Sequence, residues 1–225
     1  MKLIKFLKIF LCLTTVIILA ASCADKSANR QKYPDIDTIV KNLIDKGRYK
    51  EAADIMNREV IKNQEDLNNR INIAWIYAFN KHYKEALDIT DKIIKLDPNK
   101  QEIYYLRGFI FQKTEDYQMS ANNFKKALSL NPKDIKSISA LADVLQTKEN
   151  YDESMYYYTQ ASMLEPQNYI YYLDIANIYF KKNDYAKAQI NAQKAYDCAP
   201  QTEKENVSDI LENIKLNAII EHSNK

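Results

Sequence analysis

Glycine is nearly absent from this 225-residue chain, which contains only Gly47 and Gly108. That scarcity excludes a turn-dense β architecture and leaves no glycine-rich phosphate loop and no G-x-S-x-G nucleophile elbow. Histidine is almost as rare: His82 and His222 are the only two. Neither has a metal-spaced companion, and no H-E-x-x-H run occurs. His82 sits in the polar turn "NKHY" and reads as a solvated residue. The acids are scattered at helical surface spacing and need no catalytic role. No catalytic residue, metal site or cofactor is expected, and no small-molecule substrate is evident.

Cysteine is scarce too, at Cys12, Cys23 and Cys198. The first two lie in a start that reads as a processing segment. "MKLIKFLK" is basic, "IFLCLTTVIILA" is apolar and short of the ~20 residues of a comfortable membrane span, and small residues precede Cys23. Cys198, left alone, has no internal disulfide partner and is expected to be a small buried hydrophobe near a helix end. Strong charge of one sign is likewise missing. The formal net charge is +2, from 32 basic and 30 acidic residues. Residues 1–22 carry three of the lysines and no acid, so their removal leaves a nearly neutral chain. Nothing there offers nucleic acid a footprint.

What the chain does have is a ruler. Pro98, Pro132, Pro166 and Pro200 are 34 residues apart. Fifteen residues before each stands Tyr83, Tyr117, Tyr151 or Tyr185, and one further step back is Tyr49. Three residues after each tyrosine comes a small residue: Ala52, Ala86, Ser120, Ser154 or Ala188. Nine before it stands Val40, Ala74, Gly108, Ala142 or Ala176, again slim. Six before it is a large one: Leu43, Tyr77, Phe111, Leu145 or Tyr179. Small residues let two antiparallel helices approach, and the large one fills the space beside the contact. Proline ends the second helix. One hairpin cannot bury both its faces, so the copies are expected to stack into a solenoid.

This spacing resembles the tetratricopeptide repeat, whose pattern runs W-x₂-L-G-x₂-Y, then A-x₃-F, then P. The nearest copy is "YYLRGFIFQKTEDYQMSANNFKKALSLNP", residues 104–132. Tyr104 stands for the Trp, Gly108 is kept, Phe111 replaces the Tyr, Ser120 replaces the Ala, and Phe124 and Pro132 are kept. Arg107 takes the place of the Leu, with Leu106 one residue early. The first copy departs most, with Glu59 at a small position and Gln64 in place of Pro. The resemblance implies an all-α fold, a right-handed superhelical solenoid of about five antiparallel helix hairpins (33–66, 67–100, 101–134, 135–168 and 169–202). Val207, Ile210, Leu211, Ile214 and Ala218 then mark a C-terminal capping helix within 203–225, with "EHSNK" expected to fray.

"AASC" resembles the lipobox of bacterial lipoproteins, with Ala20 in the usual Leu place. That resemblance implies a signal peptide at 1–22, a lipid-modified (palmitate-bearing) Cys23, and a flexible tether to residue 32. It places the protein in the cell envelope, anchored to a membrane by lipid. Ala24 follows the Cys, where Asp retains many lipoproteins at the inner membrane, and so points to the outer one.

Function is then expected in the groove, which in solenoids of this family holds a protein, peptide or helix. Helix 68–79 is apolar on more than one stripe, so Ile71, Trp75 and Phe79 are candidate groove residues, joined by Asn72, Tyr105 and Phe109. Trp75 and Phe109 either face that groove or pack between hairpins; the sequence leaves both open. Asp143 and Asn177, with Ser139 and Phe180, make the far half more polar. The carboxylate clamp of chaperone-binding relatives is missing. Asn72 fits, but Asp37 and Lys41 stand where Lys and Asn are required, and Glu102 and Leu106 replace Lys and Arg. The expectation is a non-catalytic, membrane-tethered scaffold. The alternative is an assembly lipoprotein for a pilus, secretion or outer-membrane complex; an enzyme or enzyme subunit ranks last.

Overall fold

The computed structural model describes residues 36–48, 50–52, 54–55 and 67–223. The segment expected to be a signal peptide, Cys23, the expected tether, and Glu59 and Gln64 of the first copy lie outside these residues. Ten helices are assigned among those described: α1 (Ile36–Asp45), α2 (Leu67–Phe79), α3 (Tyr83–Leu96), α4 (Gln101–Lys113), α5 (Tyr117–Leu130), α6 (Ile135–Thr147), α7 (Tyr151–Leu164), α8 (Tyr169–Lys181), α9 (Tyr185–Cys198) and α10 (Lys204–Ser223). No strand occurs among them. The chain divides into two compact units, Met1–Asn69 and Arg70–Lys225. The first contains α1 and a further helical stretch, in which Val40 and Ala52 are buried. The second is an all-α solenoid of helix hairpins, α2/α3 to α8/α9, closed by α10.

Each hairpin is built on the small positions. Ala74, Ala142 and Ala176 on the first helices, and Ala86, Ser120, Ser154 and Ala188 on the second, are all fully buried, and Gly108 is buried with them. Serine is tolerated there because its hydroxyl finds an acceptor across the contact. Ser120 donates to the Gly108 carbonyl and Ser154 to that of Ala142, both at 2.8 Å. A buried hydroxyl left without such a partner would be costly. Arg107 reaches back to the preceding hairpin, bonding Thr90 Oγ1 at 2.9 Å and pairing with Asp91, while Leu106 fills the core.

The turns within the hairpins keep the same ruler in their backbone. Gly47, Lys81, Glu115, Glu149 and Asn183 all have positive φ, between 58° and 70°. Each sits one residue before the amide that bonds back across the helix end: Arg48 to Leu43, His82 to Tyr77, Asp116 to Phe111, Asn150 to Leu145, Asp184 to Tyr179. This is a Schellman cap, in which a left-handed residue lets the turn satisfy carbonyls the helix leaves open. Four of the five positions accept the cost of a side chain there. The residues before the four ruler prolines (Asp97, Asn131, Glu165 and Ala199) leave the helical region, as the proline ring requires.

Two expectations change at the C-terminal end. Val207, Leu211 and Ile214 of α10 are buried beside α9, but Ile210 and Ala218 are only half-buried, and the helix runs on through Ser223 rather than fraying at Glu221. Cys198 is not a buried hydrophobe. It is half-exposed, its Sγ 3.7 Å from the Pro166 carbonyl, because it falls on the last turn of α9 where coverage ends.

Candidate protein-binding groove

One residue place recurs in all four hairpins of the second unit: Trp75, Phe109, Asp143 and Asn177 are 34 apart, on α2, α4, α6 and α8. They define one surface whose chemistry changes along its length. At the α2/α4 end the side chains are aromatic. Trp75 stacks on Phe79 with ring centroids 5.3 Å apart, and meets Phe109 at 5.4 Å and Tyr105 at 5.9 Å. Phe79 closes the set edge-on to Phe109 at 5.7 Å. These four rings, with Gln101, Glu102, Asp134 and Lys136, line an open cleft of about 710 Å³. Phe79 is 64% exposed, whereas Trp75, Tyr105 and Phe109 are half-buried.

Two of the expected positions are arranged differently. Ile71 does not reach this cleft: it is 2% exposed, one turn before Trp75 and turned into the core. Asn72 is exposed but does not line the cleft. Trp75 and Phe109 both line the cleft and pack against the Ala74, Ala78 and Leu106 cluster, so the two readings of them hold at once. The floor is fixed by Asp134, the N-cap of α6. Its carboxylate accepts from the Ser137 amide and hydroxyl at 2.9 and 2.5 Å, and from Gln101 Nε2 of α4 at 3.0 Å.

The α6/α8 end is acidic. Asp143 accepts a hydrogen bond from the Tyr158 hydroxyl at 2.6 Å, and Gln146 Oε1 lies 3.0 Å from the same hydroxyl. Asp143 as a residue is exposed, while its carboxyl, held by Tyr158, is partly enclosed. Burial pushes its pKa up, and the Tyr158 bond opposes that shift. Asp174, missed in the sequence, is raised further, to about 7, first by burial and then by the charge of Asp143. Tyr158 is itself raised, by burial and then by both acids. Asn177 is half-buried on the same helix as Asp174. The sequence did carry a signal: Asp174 is the one charged residue in "YIYYLDIANIYF". Phe180 packs on Tyr185, and Ser139 bonds its own helix, so neither adds to this end.

A carboxyl whose pKa rises on folding opposes folding once the unfolded chain has ionised. The stability contribution of Asp174 is therefore lost progressively as pH rises from about 4 to 7 and is level above that. Asp174→Asn removes this penalty. It is expected to leave stability unchanged near pH 4 and to raise it by about 1–2 kcal/mol at pH 8, after discounting for partial exposure. Denaturant midpoints of the two proteins at both pH values check this. An equal difference at both would show that Asp174 titrates normally.

The profile of a family described as "Psidin, N-terminal TPR repeats region" matches residues 68–205, more than half of the chain. The chain belongs to this tetratricopeptide repeat family. Among solved structures the repeat array is similar to MamA from Desulfovibrio magneticus RS-1, at 18% identity and a TM-score of 0.64, over 72% of this chain and 92% of that one. It is also similar to YrrB, described as a TPR protein with an unusual peptide-binding site, at 17% identity and 0.61, over 83% and 97%. Yeast Tom70 matches at 17% identity and 0.69; the array covers 80% of this chain but 39% of Tom70. At these identities the likeness is one of fold. No curated protein matches significantly.

Proposed function

We propose that this tetratricopeptide repeat protein is a non-catalytic interaction scaffold that is tethered to a bacterial envelope membrane by lipid on Cys23 and binds a protein segment in its groove. The observation that carries the groove is the aromatic cleft: four rings gathered around about 710 Å³ of open space, with Phe79 left 64% exposed. Exposed aromatic clusters of this kind are unfavourable in water and favoured as interface anchors. The anchor is supported by "AASC" and the basic-then-apolar run before it, and Ala24 after the Cys favours the outer membrane. The peptide-binding site described for YrrB, a protein of similar fold, supports a ligand of the same kind here.

The test is photocrosslinking in cells, with a benzophenone side chain placed either at Phe79 or at Ile190. Ile190 is a similarly exposed position (57%) on α9, away from the cleft. Discrete adducts from position 79 and none from 190 are expected; no adduct from 79 would remove the groove. In the same cells the wild type is expected to take up a palmitate label that Cys23→Ser abolishes. An unlabelled wild type would leave a scaffold without its lipid tether.

A further inference from the structure

Building on the groove reading above, we infer that the occupant is an extended peptide segment with an apolar anchor at one end and a lysine or arginine about six residues away. The anchor seats in the Trp75, Phe79, Tyr105 and Phe109 cleft, and the cation sits between Asp143 and Asp174.

The two ends belong to one surface, because Trp75, Phe109 and Asp143 occupy the same place in successive hairpins. Tyr105 links them physically: its hydroxyl is raised by burial and then by the charges of Asp134 and Asp143, so the cleft lies within the field of the acids. Packed helices lie about 8–10 Å apart, so two steps along the array cover about 20 Å, or about six residues of extended chain.

Charge decides what belongs at the second end. In the cleft, Glu102 and Lys136 offset one another, the Lys113 ammonium lies over the Phe109 ring at 5.4 Å, and Asp134 is committed to Ser137 and Gln101. Further along, neither acid is paired with a cation among the described residues. Asp143 has the Tyr158 hydroxyl, and Asp174 has no hydrogen bond or ion pair among the described residues. The groups that act on Asp174 are burial and a second carboxylate, both unfavourable to its charge. A bound ammonium or guanidinium relieves both at once, whereas an anionic segment adds a third like charge. Stability is being given up at a place where a cation would restore it, and such perturbed acids cluster at functional sites.

Fluorescence anisotropy with labelled twelve-residue peptides tests this on the full repeat array of the mature chain. The peptides are a Gly/Ser background carrying a Trp and, six residues on, an Arg pair; the same with the Arg pair changed to Glu; and the same with the Arg pair next to the Trp. The first is expected to bind about tenfold or more tighter than either of the others. Asp174→Asn, combined with Asp143→Asn, should shrink the Arg-over-Glu preference to about threefold or less while leaving the protein at least as stable as wild type. Equal binding of the Arg and Glu peptides, lost together in Trp75→Ala, overturns the basic requirement and keeps the groove. Binding by none of the peptides also overturns the inference, and the crosslinks from position 79 then judge the groove separately.

Discussion

Gly108→Ala is expected to destabilise the protein by about 1–3 kcal/mol, although by helix propensity alone it would stabilise it. Alanine in place of glycine inside an exposed helix gains about 1 kcal/mol. Here a Cβ on residue 108 would meet three atoms of the Phe124 ring, at 2.5, 2.6 and 2.9 Å. Phe124 is fully buried between α4 and α6, so its ring has no open space to retreat into. Overpacking of a filled core typically costs about 1–3 kcal/mol, and the clash is expected to win. Denaturant unfolding of Gly108→Ala, and of the same change with Phe124→Leu, checks the cause. Removing the ring should recover part of the loss, a non-additive pair energy that distant sites do not show. If Gly108→Ala is as stable as wild type, α4 and α5 are not in the close contact described here.

Trp75→Ala is expected to act on binding more than on folding. The indole stands at the centre of the aromatic set, in contact with Phe79, Tyr105 and Phe109, and one side of it faces the open cleft. Loss of a central aromatic anchor weakens an interface by about 2 kcal/mol or more, which is about thirtyfold in affinity. Because Trp75 is half-buried, its truncation should cost the fold about 1–2 kcal/mol rather than the 3–5 kcal/mol of a fully enclosed aromatic. Ile71→Ala, one turn away and buried, is the contrast: about 2–5 kcal/mol of stability with affinity unchanged in the molecules that remain folded. Affinity for the Trp–Arg peptide and chemical denaturation of both variants decide the matter. A Trp75→Ala protein that unfolds as easily as Ile71→Ala, yet binds normally, would make the aromatic set core and nothing more.

The contrast between Ile71 and Trp75 also shows where the sequence stops being readable. Both are apolar and both lie on a helix that is apolar around most of its circumference, so periodicity does not say which stripe faces inward. The answer depends on where α4 packs, and Leu106 and Ile110 of α4 join Ala74 and Ala78 in the same buried cluster. Asp174 is a second case. Its chain neighbours make it conspicuous, but part of its raised pKa comes from Asp143, 31 residues earlier on another helix. Charge on one helix is visible in one segment of sequence; the field from a neighbouring helix is not.

The chain's own pattern determined the all-helical class, the 34-residue period, the family resemblance and, through the tyrosine and proline ruler, where the second helix of each described hairpin begins and ends. These are local or repeating properties: slim residues where backbones meet, and prolines where helices must end. Tertiary structure decided the rest. It set four left-handed turns on Lys81, Glu115, Glu149 and Asn183, where no glycine announces them, because the cap closes only if that residue turns. It turned one apolar residue of α2 into the core and left another at the cleft. It also placed Asp174 within the field of Asp143 on a different hairpin, a pairing set by the packing of α6 and α8 into one apolar cluster and by no feature of either helix alone.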